Sequence, residues 1–259
     1  MSEREKQLKA FGELLDIMDK IRTDCPWDRK QTLQSLRHLT IEETYELGDA
    51  ILDNDLNEIK KELGDLMLHI VFYAKIASET GAFDMADVLN GINEKLIHRH
   101  PHVFGDLVAE NEEEVAKNWE QLKLKEGRKS VLEGVPGSLP AMIKASRIQD
   151  KAASAGFDWD APEQVFEKVQ EEIEEFHNEV KNNNQKKTEA EFGDVLFSLI
   201  NYARFIKVDP ESALERTNKK FIKRFQYLEK EAAKEGKSLA SMSLDEMNVH
   251  WEKSKDFFK

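Results

Sequence analysis

Two pairs of acidic residues, Glu172 with Glu175 and Glu191 with Asp194, have the types and spacing to hold a cation. Each pair is spaced i, i+3, which puts both carboxylates on one helix face. Between the pairs, the segment from Val180 to Lys187 is rich in Asn and Lys and is long enough to turn between two antiparallel helices. Closing that hairpin brings four carboxylates together. Like charges at close range raise one another's pKa, so the group calls for a compensating cation. Carboxylate oxygens without His or Cys select Mg²⁺, Mn²⁺ or Ca²⁺ over zinc. Mg²⁺ keeps positions open for water and for substrate phosphates. The sequence carries neither a phosphate-binding glycine loop with its Lys nor a calcium loop.

An acidic run alone is usually a solvated face. Here the pattern occurs twice. Glu43, Glu46, Glu62 and Asp65 repeat the four positions, and the 16-residue gap from Glu46 to Glu62 equals that from Glu175 to Glu191. A solvated face has no reason to keep that gap. Further blocks recur in the same order: Tyr73 with Tyr202, Asn93 to Arg99 with Asn218 to Arg224, Trp119 to Lys123 with Trp251 to Lys255, and Trp27-Asp28 with Trp159-Asp160. The chain therefore reads as a tandem duplication. Residues 1–125 form the first repeat, 126–140 a linker punctuated by Gly and Pro, and 141–259 the second repeat.

Each repeat reads as helices, over Phe11 to Arg22, Ser35 to Leu52, Leu56 to Glu79, Met85 to His100 and Glu112 to Lys125, with the set repeating from Ala141. No segment alternates apolar and polar residues with β-branched enrichment, so strands are not expected and the fold class is all-α. The 259 residues carry a net charge of −13, which makes a poor partner for bare nucleic acid. One cysteine, Cys25, excludes an intrachain disulfide. The Leu66 to Ala74 apolar stretch is far short of the ~20 residues that span a bilayer. With a polar, charged N-terminus, these features predict a cytoplasmic protein with no membrane partner.

Several blocks together carry a resemblance. Glu-x-x-Glu followed by Glu-x-x-Asp on a helical hairpin, Cys25-Pro26-Trp27-Asp28 with Gln31-Thr32-Leu33, Val131 to Pro136 with Leu139-Pro140, Lys144 to Ala153 and Gly156-Phe157-Asp158-Trp159 are similar to the MazG family of all-α nucleoside triphosphate pyrophosphohydrolases, in its two-repeat form. The resemblance implies cleavage between the α- and β-phosphates of a nucleoside triphosphate, ATP among them, giving a monophosphate and pyrophosphate. It implies Mg²⁺, with Mn²⁺ as a substitute, activating a water. It assigns Asn218, Lys220, Lys223 and Arg224 to the triphosphate and Trp251 to the base or ribose. It also implies a homodimer. Lys168 and Lys187, each one turn before an acidic pair, are further phosphate candidates. Glu171 or Glu172 is the candidate general base, beside Glu175 in the catalytic set, and Glu42 is its counterpart in the first repeat.

The repeats differ in their cations. Lys168 and Lys187 correspond to Leu39 and Glu58, and Lys223 to His98, so the second repeat is expected to carry most of the activity. Three other readings compete. A narrow-specificity all-α nucleotide pyrophosphatase uses the same acidic set. A di-iron bundle requires Glu-x-x-His, which is missing from these motifs. A non-catalytic helical scaffold leaves the basic helix and Trp251 unexplained.

Overall fold

The computed structural model describes residues 1–107, 111, 114–115 and 130–258. The expected helix over Glu112 to Lys125 falls almost wholly outside the described residues, as do positions 126–129 of the expected linker. Among the described residues there are α-helices, two short 3₁₀ turns and no strand. The chain divides into two compact units, Met1–Glu110 and Asn111–Lys259.

In the first unit, α1 spans Glu3–Asp24, α2 Leu33–Leu52, α3 Leu56–Ser78, α4 Met85–Arg99 and α5 Pro101–Phe104. α1 begins earlier than the apolar pattern suggested. Ser2 and Glu5 form a reciprocal cap, with side-chain and backbone hydrogen bonds in both directions, and that stabilises the polar first turns. In the second unit, α6 spans Ala141–Ser154, α7 Pro162–Lys181, α8 Gln185–Phe205, α9 Pro210–Lys234 and α10 Leu244–Ser254. Pro162 stands at the first turn of α7, where its missing N–H costs nothing.

The α2–α3 and α7–α8 hairpins form the most extensive helix pairs of their units. Their turns are copies of one another. Asn54 and Asn183 both take φ 53°, a left-handed conformation that Asn tolerates better than most residues. Asp55 and Asn184 then cap the following helices, accepting from Asn57 N at 3.0 Å and from Lys187 N at 3.3 Å respectively. The turn fixes the register that sets the two acidic pairs across from each other.

The first unit's core is Met18, Leu36, Val71 and Phe72, all nearly inaccessible. In the second unit, Val165 takes the place of Leu36 and is equally buried. There α6 packs on α8, and α9 packs on α10 and, over a smaller area, on α6.

Candidate functional site

The hairpins bring the acidic residues together in both units. Oxygens of Glu43, Glu46 and Glu62 lie within 4.8 Å of one another, and so do oxygens of Glu172, Glu175 and Glu191. Asp65 and Asp194 complete the electrostatic groups, raising the proton affinity of Glu43 and Glu191 respectively. Burial is the first cause of the upward shift at Glu191, followed by the charges of Glu175, Asp194 and Glu172. Glu43 is shifted up for the same first reason, aided by its hydrogen bond with Glu62.

Burial is distributed differently in the two clusters. In the first, Glu62 on α3 is the buried member, and Lys61 Nζ sits 2.9 Å from its Oε1. That hydrogen bond holds the Glu62 carboxyl below the usual carboxylate range. Its Oε2 is buried without a partner. In the second, Glu172 on α7 is the buried member, and Lys168 Nζ stands 2.7 Å from it and 2.9 Å from Glu171. Both lysines are pushed up by these carboxylates. Lys61 was not among the sequence candidates. Its only signal was adjacency to Glu62, and neighbouring helix residues do not ordinarily face each other.

Other candidates are placed elsewhere. Glu171 is mostly exposed and pairs with Lys168. Lys187 lies 3.6 Å from Glu179 rather than on the cluster. Asn218 donates to Glu215 at 3.2 Å. Arg224 donates through Nε and a terminal nitrogen to the Phe258 carbonyl, at 2.9 and 2.6 Å, and its guanidinium is 6.0 Å from the Trp251 ring. Trp251 packs on Phe221, with centroids 5.1 Å apart. Lys220 is half-buried and Lys223 exposed on the same helix.

A cavity of about 560 Å³ opens beside the second cluster, with Lys168, Glu172 and Asp194 in its wall. The rest of the wall is largely apolar and comes from Leu132, α6, the segment before α7, Val165 of α7, and α8. No α9 or α10 residue lines it. Arg204 closes one side, forming a two-pronged ion pair with Asp158 and donating to Asn201 Oδ1 at 3.2 and 3.0 Å. It holds the Asp158 carboxyl below its usual range. Gln149 is buried, donates through Nε2 to the Phe197 carbonyl at 2.8 Å, and leaves Oε1 unpartnered. A buried acceptor in that state costs about 1–3 kcal/mol. Gln149 and Asp158 lie in blocks that carry the resemblance but were not site candidates, and nothing in the spacing marks Asn201 or Arg204.

The donor set fits a hard divalent cation. It contains only carboxylates, the buried Glu62 Oε2 has no partner, and Glu191 is proton-hungry among like charges.

The MazG nucleotide pyrophosphohydrolase domain matches the chain twice, over residues 31–104 and 160–228, and each match holds one acidic cluster. A nucleoside triphosphate pyrophosphohydrolase/pyrophosphatase MazG of Thermotoga maritima is 45% identical over 95% of both chains. A nucleoside triphosphate pyrophosphohydrolase of Escherichia coli K12 is 42% identical over 96% of this chain and 98% of its own. A solved mazG-related protein from Thermotoga maritima aligns with 44% of this chain and 98% of its own, at 28% identity and a TM-score of 0.40. With more than half its length matched by that domain and relatives aligned almost end to end, the chain belongs to the MazG family.

Proposed function

We propose that the chain hydrolyses nucleoside triphosphates to monophosphate and pyrophosphate, chiefly in the second unit. The observation that carries this reading is the Glu172, Glu175 and Glu191 cluster beside a cavity large enough for a nucleoside. The relatives' names support the reaction.

Glu172, Glu175, Glu191 and Asp194 would hold Mg²⁺ or Mn²⁺, and Glu43, Glu46, Glu62 and Asp65 form the matching set. When bound, the ion neutralises phosphate charge and acidifies a water. The chain's own contribution is positioning. The hairpin presents the carboxylates on one face, and the cavity keeps water from the nucleoside. Lys168, held between Glu171 and Glu172, lies where it can turn to a phosphate oxygen. Glu171 or Glu172 takes the proton from the attacking water. The water oxygen bonds to phosphorus, the P–O–P bridge breaks, and pyrophosphate leaves. Asn218, Lys220, Lys223 and Arg224 remain the triphosphate candidates, and Trp251 the base or ribose candidate.

This reading includes a homodimer. Leu63, Met67 and Ile70 on α3, and Phe192, Leu196 and Leu199 on α8, stand substantially exposed beside the carboxylates, as hairpin faces that a second copy would cover. It also includes a cytoplasmic location: Cys25 is a free thiol, and no helix among the described residues is long and apolar enough to cross a membrane.

The test is product identification across ribo- and deoxynucleoside triphosphates, with and without Mg²⁺. Monophosphate and pyrophosphate in equal amounts, only with the ion, are expected. Diphosphate and phosphate as products would refute the bond assignment, and no turnover would leave the narrow-specificity and scaffold readings.

A further inference from the structure

We infer that Arg204 is a positioning residue of the second unit, which acts through Asp158 to hold the segment bearing Phe157 and Trp159 as a wall of the nucleoside cavity. This rests on the pyrophosphohydrolase reading above.

The wall segment needs such a tie. It joins α6 to α7, and Phe157, Asp158 and Trp159 all line the cavity. Phe157 is 85% exposed and Trp159 45%, so packing does little to fix either ring. The ends of the segment are held locally. Gly156 takes φ 89°, and Phe157 N donates to the Ala152 carbonyl at 3.0 Å. Gln164 Oε1 accepts from Asp160 N and Ala161 N at 3.1 and 3.3 Å. Among the described side chains outside the segment, Arg204 alone hydrogen-bonds residues 157–159.

The tie is built to transmit position. The Arg204 guanidinium is oriented from its own helix, by Asn201 Oδ1 at 3.2 and 3.0 Å and by the Phe205 ring, whose centroid is 4.6 Å away. From there it donates to both oxygens of Asp158, one of them at 2.8 Å. A two-pronged pair fixes angle as well as distance. Asp158 Oδ1 in turn accepts from Trp159 N at 3.0 Å, so the clamp reaches the backbone that carries the indole.

The first unit lacks these parts at the matching positions. The 132-residue offset that pairs Trp159 with Trp27 sets Pro26 in the place of Asp158, and the 129-residue offset of the hairpins sets Lys75 in the place of Arg204. Pro26 has no carboxylate, and Lys75 pairs with Asp19 at 2.7 Å instead. The clamp thus belongs to the unit whose Lys168, Glu172 and Asp194 line a cavity.

Steady-state kinetics on the intact chain test it, with Arg204→Met, Asp158→Ala and the double variant. Each single variant is expected to raise KM for a hydrolysed triphosphate about tenfold, with kcat within about threefold of wild type, because the wall segment meets the nucleoside and not the scissile bond. The double variant is expected to match the worse single variant, since both changes remove one clamp. The inhibition constant of pyrophosphate, which lacks a nucleoside, should move less than about twofold. Loss of folded protein alone would lower kcat and leave KM unchanged, and that result overturns the inference. So do effects that multiply in the double variant, which would mean that Arg204 and Asp158 meet the substrate separately. A pyrophosphate constant that rises with KM overturns it too, by putting Arg204 on the phosphates. Should wild type bind Mn²⁺ but turn over no triphosphate, the pyrophosphohydrolase reading fails and this inference with it.

Discussion

The two hairpins share backbone, turn and carboxylate spacing, yet they resolve the same electrostatic problem in opposite ways. In the first, the buried carboxylate is on the second helix of the hairpin, and Lys61, the residue before it, neutralises it. In the second, the buried carboxylate is on the first helix, and Lys168, one turn earlier, neutralises it. The difference has a consequence for chemistry. Each lysine takes up an oxygen of its own metal set, but Lys168 also lines a cavity beside the second set. Duplication preserved the part that backbone geometry dictates and let the surroundings of the charges diverge. The same divergence appears in the arginines. Arg22 of α1 binds the Gln31 carbonyl and Glu79, while Arg204 of α8 binds Asp158 and Asn201. Each unit ties the segment before its hairpin, but from a different helix.

The comparison breaks most directly at the clusters. Glu175→Ala should lower the rate of pyrophosphate release by about a thousandfold, while Glu46→Ala leaves most of it. The reverse result would move the main site to the first unit. Core packing comes next. Leu36→Ala removes a side chain with no exposure and should cost about 2–5 kcal/mol in denaturant unfolding.

Lys61→Met then sharpens the electrostatic contrast. Removing the cation that pairs with Glu62 should tighten Mn²⁺ binding to the first unit by up to about tenfold, read by calorimetry in a Glu175→Ala background. No change would mean that Lys61 does not compete for the site.

The arginine ties should respond alike. Arg22 lowers the Glu79 carboxyl and Arg204 lowers that of Asp158. An acid with a depressed folded pKa stabilises the fold above its unfolded pKa, and that contribution is lost as pH falls through the depressed value. Glu79→Gln and Asp158→Asn should therefore each cost about 1 kcal/mol at neutral pH, discounted for partial exposure, and nearly nothing well below pH ~4. Melting curves across pH, variant against wild type, read this. The smallest contrast is at the turns. Asn54→Ala and Asn183→Ala should each lose about 1 kcal/mol, equally, because both residues hold the same left-handed conformation. Unequal losses would show that the two turns are not energetically equivalent.

Several features were legible in the residues alone. The all-α class follows from the absence of strand patterning. The acidic pairs and their constant 16-residue gap pointed to the hairpins, which bring three of the four carboxylates in each set together, because an i, i+3 spacing on a helix puts both members of a pair on one face. The hairpin turn was legible in the length and the Asn and Lys content of Val180 to Lys187, while the left-handed Asn and the capping residue after it were seen only in the structure. Tertiary packing decided the rest. It determined which carboxylate of each set lost water, and so which lysine paired with it. It turned Arg224 to the Phe258 carbonyl and Trp251 to Phe221, rather than to the cavity. It brought Gln149 and Asn201 to one cavity although 52 residues separate them. Spacing encodes only neighbours within a helix. Burial and pairing are settled by residues far apart in sequence, and these control the charge and the cavity.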